Sequence, residues 1–236
     1  MRYVSYKGLI EFQEKDEKDI FDGRKNAFKL DSKKLMYNNE TNLSTFLACS
    51  RQSTMIINKY LFVHAGVLDK LITNTIDMAT DDNKINKTKS IEIINDKIRS
   101  WLLNSIKKED EEYINKLLSG NDSPFWPRVF GSLKTNLSIH DESCKKDVKP
   151  VLDNLDLKGI VVGHTPQIKI NINSTCSDTV WRIDVASSQA FENVMYPNSN
   201  DMDENKKIKQ GRKPQVLEIV LGENGEKDQF NILIHK

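Results

Sequence analysis

Several things are scarce in this sequence. It has three cysteines, Cys49, Cys144 and Cys176, widely spaced and odd in number. None forms a Cys-x-x-Cys pair, so neither a disulfide framework nor a structural zinc site is expected. A reducing compartment suits such a chain best. No apolar run approaches the length of a membrane span. The opening residues, MRYVSYKGLIEFQEKDEKD, are studded with charge and lack the apolar core of a signal peptide. A cytoplasmic setting is the expectation. Net charge is only +1, which gives no broad electrostatic reason to bind nucleic acid or an acidic membrane face.

What is present fits a globular chain. Of 236 residues, 38% are hydrophobic and 29% charged, enough for a sizeable core beneath a wet surface. Residues 1–47 are polar and helix-compatible, broken at Gly8 and Gly23, and LSTFLAC at Leu43–Cys49 reads as the end of a helix. Arg51 follows directly; it either contacts an anion or caps that helix, whose carboxyl end favours a cation. Met55–Ile57 and Tyr60–Val63 read as strands joined by a two-residue turn, Asn58-Lys59. The second, YLFV, is apolar on both faces, as a strand buried between layers would be.

Residues 70–120 change character and read as a helical cover. Ile91, Ile94, Ile98, Trp101, Leu102 and Ile106 recur at helical spacing. EDEEYINKLL begins acidic and stops at Ser119-Gly120, complementing its own dipole. The polar stretch 77–89 is expected to be a surface loop. SPFWPRVFG, residues 123–131, is a stiff loop whose prolines exclude a helix. Its Arg128 suits bidentate phosphate binding, or else stacks on Phe125 and Trp126 as they plug the core.

KPVLDNLDL predicts a short helix before a strand at Gly159–Val162. Residues 173–176 are expected to be a polar connection and Val180–Val185 a strand. Residues 198–212 read as a loop. Two final strands, Gln215–Val220 and Gln229–Ile234, are joined by GENGEKD, a hairpin signal with Asn-Gly inside it.

Of the four histidines, His140 and His235 have no notable setting. His64 and His164 each end an apolar strand beside a glycine-containing turn: FVHAG and VVGHTPQ. In open α/β sheets, ligand sites lie beyond the carboxyl ends of the strands. Gly66 and Gly163 allow tight turning there. Neutral imidazole ligates Zn, Mn, Fe or Ni. Either histidine alone is better explained by a backbone carbonyl partner, but the recurrence points to one shared metal.

VHAG, VVGHTPQ and NSTC with WRIDVASSQAF resemble the calcineurin-like metallophosphoesterases, in the phosphoprotein-phosphatase-type branch. ACSRQSTMIINKYLFVHAG and SPFWPRVFG resemble that branch too. The resemblance implies an α/β fold, the carboxyl-terminal part of a β-sandwich flanked by helices (αββα). It also implies a site for two divalent ions (Mn, Fe or Zn), with His64 and His164 as ligands and a phosphorylated substrate. Arg128 and Arg51 are the phosphate-binding candidates. Asp184 and the Ser187-Ser188 pair are read as structural, Asp184 capping a turn.

The departure is as informative. The family's early motifs, Gly-Asp-x-His-Gly, Gly-Asp-x-x-Asp-Arg-Gly and Gly-Asn-His-Glu, are absent from the sequence. The family's bridging carboxylate and general-acid histidine go with them. Two imidazoles alone hold divalent ions weakly or not at all. The expectation is thus a second half of a phosphatase with open apolar sheet edges, inactive by itself. Its partner would be the missing amino-terminal half. The competing expectation is a non-catalytic pseudophosphatase or interaction protein.

Overall fold

The computed structural model describes residues 43–79, 87–168, 170–187, 213–223 and 226–234. The expectations for residues 1–42, Ser188, the 198–212 loop, the Asn224-Gly225 turn and His235 lie outside these. The element order is α1 (Leu43–Ser50), β1 (Thr54–Ile57), β2 (Tyr60–Val63), α2 (Asp69–Ala79), α3 (Lys89–Leu102) and α4 (Glu111–Ser119). Next come α5 (Glu142–Asp147), α6 (Lys149–Leu155), β3 (Gly159–Val162), β4 (Asn173–Thr175), β5 (Val180–Arg182), β6 (Gln215–Val220) and β7 (Gln229–Ile234).

Five strands form a mixed sheet in the order β1-β2-β3-β5-β4, with β2, β3 and β5 parallel. Alternation along these strands sorts the side chains into two layers. Leu61, Val63, Ile160, Val162 and Val180 face one way, onto the core built with the helices. Phe62, Val161 and Trp181 face the other way, where Leu217, Ile219 and Phe230 of the β6–β7 hairpin cover them. The fold is α/β, a central mixed sheet flanked by helices on one face and a two-stranded ribbon on the other.

The local signals explain most elements. Asn58 and Lys59 take φ of 49° and 67°, the left-handed pair that a tight hairpin requires, and β1 and β2 pair around them. In α3, Ser90, Ile91, Ile94 and Ile98 are buried at helical spacing. The helix ends at Leu102, so Ile106 falls beyond it, past Asn104 at φ 54°. In α4, Glu111 and Glu112 occupy the first turn and Lys116 the last. Part of the expected 77–89 loop is instead the end of α2, because Ile72, Thr75 and Ile76 continue an inward face. Residues 173–175, expected to be a connection, form β4: Thr175 is buried there and pairs with Val180.

Two further corrections concern the cysteines and the sheet edge. Cys144 of α5 and Cys176, next after β4, are joined by a disulfide across 32 residues, and both are fully buried. The expectation of unpaired cysteines therefore holds only for Cys49, which is exposed. The bond also argues against the expected reducing compartment. Sequence spacing missed it because the partners meet through tertiary packing, not through a local motif.

The open edge of β1 is closed at its start by a side chain. Asn95 of α3 accepts from Ser53 N (3.0 Å) and Thr54 N (3.1 Å) and donates to Thr54 O (2.8 Å). Its carboxamide stands where a neighbouring strand's peptide would. Met55 and Ile57 remain exposed farther along.

The ribbon is fastened to the main sheet by Asp228, whose side chain is 6% exposed. Its carboxylate accepts from Tyr60 Oη (2.6 Å), Lys158 Nζ (2.8 Å) and Gly222 N (2.9 Å). These donors, Lys158 first, hold its pKa at about 2 against an ordinary 3.8. The folded state thus binds fewer protons than the unfolded one. The stabilisation is complete above pH 3.8 and is lost as pH falls through about 2. Urea midpoints measured from pH 5 to pH 2 should therefore fall less steeply for Asp228→Asn than for the wild type. Parallel curves would remove this role from Asp228.

Candidate functional site

The register places the key side chains together. Val63, Val162 and Arg182 stand level on three adjacent parallel strands. His64 therefore follows β2 by one residue, and His164 and Asp184 follow β3 and β5 by two. The turns are tied to each other: Gly163 N donates to His64 O (2.9 Å), and Gln167 N donates to Asp184 O (2.6 Å). Gly163 sits close over the His64 carbonyl, 3.4 Å from where a Cβ would lie.

His64 Nε2 and His164 Nδ1 are 3.1 Å apart, one ring N–H donating to the other nitrogen. Burial comes first in holding both imidazoles below the usual histidine range. Arg128 pushes both the same way, and Asp184 opposes it. Both rings are thus neutral near pH 7, the form that ligates a metal.

The proline-framed loop lies over these turns. Pro124 O accepts from Ala65 N (3.0 Å) and Gly66 N (3.4 Å). Phe130 is fully buried against Gly66, where a Cβ would come within 2.6 Å of its ring. Arg128 Nη1 donates to His164 O (3.0 Å). Trp126 is 55% exposed, its indole N–H fixed on Leu118 O (2.6 Å) and its ring set edge-on to His164 at 5.9 Å. Phe130 is fully buried, Phe125 is partly buried and packs against the core, and Trp126 is exposed, while Arg128 is held beside the histidine turn.

The four candidates separate three to one. His64, His164 and Arg128 meet at one sheet edge. Arg51 instead donates from its backbone N to Leu47 O (3.0 Å) and from Nη1 to Ser50 O (3.1 Å), closing the end of α1. That is the helix-capping alternative. Asp184 caps its turn by accepting from Ala186 N (3.0 Å), as expected, but its charge also reaches both histidines. The signal for it was legible: it is the third polar residue just past the end of a parallel strand. Trp126 had no such signal.

The donor set fits a single divalent ion as half of its ligands. At metal–nitrogen bonds of about 2.0–2.1 Å, nitrogens 3.1 Å apart meet at roughly 95–100°, within the range of neighbouring ligands. Among the described residues there is no cluster of three His, Cys, Asp or Glu side chains that could hold a metal ion. None of their helices is long and apolar enough to cross a membrane.

No protein-family profile matches the chain. Among curated proteins it is similar, at a distance, to a phosphatase. It is 28% identical over 152 residues to Shewanella-like protein phosphatase 1 of Plasmodium berghei (strain Anka), a match covering 64% of this chain and 36% of that protein. A stronger match, 38% identity over 181 residues, is to an uncharacterized protein of Acanthamoeba polyphaga mimivirus, covering 72% of this chain and 66% of that one. The chain thus spans less than two thirds of either relative. Solved structures of a cold-active protein tyrosine phosphatase overlay with TM-scores of 0.49 and 0.48 at 20% and 21% identity. Those matches cover 75% and 72% of this chain, and 46% and 42% of the phosphatase chains.

Proposed function

We propose that this chain carries part of the site of a metal-dependent phosphoric monoester hydrolase of the serine/threonine-protein-phosphatase-like kind. The observation that carries the reading is the pair His64 Nε2 and His164 Nδ1, 3.1 Å apart at the ends of neighbouring parallel strands. The distant match to a Shewanella-like protein phosphatase supports it. His64 and His164 would hold a divalent ion (Mn, Fe or Zn), one of the two expected in a complete site. Such an ion, when bound, would supply Lewis-acid activation of the phosphoryl group. The chain's own residues orient and neutralise. The glycine turns aim the imidazoles, and Arg128 places positive charge beside them, as a phosphate dianion requires.

The set of two ligands favours a site that needs completion, with the missing ligands supplied by a further segment or partner chain. The 236-residue chain alone is expected to hydrolyse an aryl phosphate with manganese no faster than buffer. Fused to the part of the mimivirus relative outside the matched region, it should show manganese-dependent hydrolysis that His64→Ala abolishes. Activity of the lone chain, lost in His64→Ala, would overturn the need for completion. A folded fusion with no hydrolysis would overturn the phosphatase reading and favour the second one, a non-catalytic interaction protein.

A further inference from the structure

Away from the histidine pair, Arg182 of β5 has an unusual setting. It is 2% exposed and, by strand alternation, shares the helix-side face with Val180. Its Nη1 donates to Leu133 O, but Nε and Nη2 are buried with no hydrogen-bond partner. Burial pushes its guanidinium pKa down, and no carboxylate among the described residues acts to raise it. An uncompensated guanidinium in the interior is among the most costly groups a fold can hold.

Two more buried side-chain atoms lack a hydrogen-bond partner. Asn173 of β4 is the cross-strand partner of Arg182, so their side chains share a face, and Asn173 Oδ1 is buried without a partner. Thr165 Oγ1 is the other. Gln167 links the two residues: its Nε2 donates to Thr165 O (2.8 Å), and its Oε1 accepts from Asn173 Nδ2 (3.2 Å). Gln167 Nε2 also donates to Gly131 O (3.0 Å), two residues before the Leu133 carbonyl that holds Arg182.

We infer that the free Nε/Nη2 edge of Arg182 seats a small monovalent oxyanion, of the bicarbonate or carboxylate class, inside the layer between the sheet and the 131–134 loop. That edge of a guanidinium presents two parallel N–H groups, the fork that takes two oxygens of one anion. The charge decides between an anion and a water. Water would satisfy the hydrogen bonds and leave the cation uncompensated. Thr165 has a hydroxyl donor to spend, whereas Asn173 Oδ1 needs a donor. A small oxyanion, which takes the fork with two oxygens and as bicarbonate also carries a proton for Asn173 Oδ1, matches the set better than a bare halide.

The test uses the whole chain at constant pH and ionic strength. Thermal midpoints are measured in chloride, acetate and bicarbonate, alongside ¹³C NMR of labelled bicarbonate. Bicarbonate is expected to raise the midpoint saturably by about 3 °C, acetate by less and chloride not at all. A bound ¹³C signal that acetate displaces is expected with it. Arg182→Lys keeps the charge but not the fork, and should lose both responses. Equal midpoints in all three salts with no bound signal would leave a water in the place and overturn the inference. An undiminished response in Arg182→Lys would overturn it too, by putting the anion elsewhere. If that variant does not fold, the labelled-bicarbonate titration of the wild type decides alone.

Discussion

Full reduction of the Cys144–Cys176 bridge should lower the stability of this chain by about 3–4 kcal/mol, or roughly 10 °C in thermal midpoint. The magnitude follows from closing a loop across 32 residues, which restricts the unfolded chain more than the folded one. The bridge ties α5 to the turn between β4 and β5. Both sulfurs are fully buried, so reductant must act through opening of the fold. The measurement is a thermal melt of the oxidised and the fully reduced protein, with the thiol count rising as the two bridged cysteines join the free Cys49. An unchanged midpoint after complete reduction would mean the bridge constrains nothing that the packing does not already fix.

Phe130→Ala should cost about 3–5 kcal/mol, the range for emptying a fully enclosed aromatic site. The ring is fully buried and packs against Gly66. Refilling by collapse would have to move either that turn or the proline-framed loop. Because the same loop carries Trp126 and Arg128 to the histidines, the cavity should also loosen Arg128 from His164 O, a contact of 3.0 Å. Phe130→Leu, which refills most of the volume, should recover the larger part of the loss. A thermal midpoint for Phe130→Ala within 2 °C of the wild type would contradict the packing argument.

What could be read from the sequence was what depends on short-range pattern. The Asn58-Lys59 turn, the two-faced burial of YLFV, the acidic start of α4 and the strand at Gly159–Val162 all follow from local chemistry, and the structure has each of them. So was the His64–His164 pair, because both residues sit just past parallel strand ends. What escaped depends on distant partners. The Cys144–Cys176 bond, the Asn95 clasp on β1 and the Tyr60–Asp228 bond join residues 32 or more positions apart, and no periodicity marks them. Strand β4 escaped for a related reason: NST is polar, and only its pairing with β5 makes it a strand.

His164 has a backbone φ of 62°, in the left-handed region that glycine occupies freely and other residues occupy at a cost of roughly 1–2 kcal/mol. Fold and site therefore make opposite demands on one position. Replacing the residue by glycine removes the imidazole and relieves the backbone together, so His164→Gly should melt no lower than the wild type while losing half of the nitrogen pair. A strained backbone at this position accords with the metal-ligand role proposed for His164. A His164→Gly protein that melted several degrees lower would show instead that the ring is there to hold the turn together.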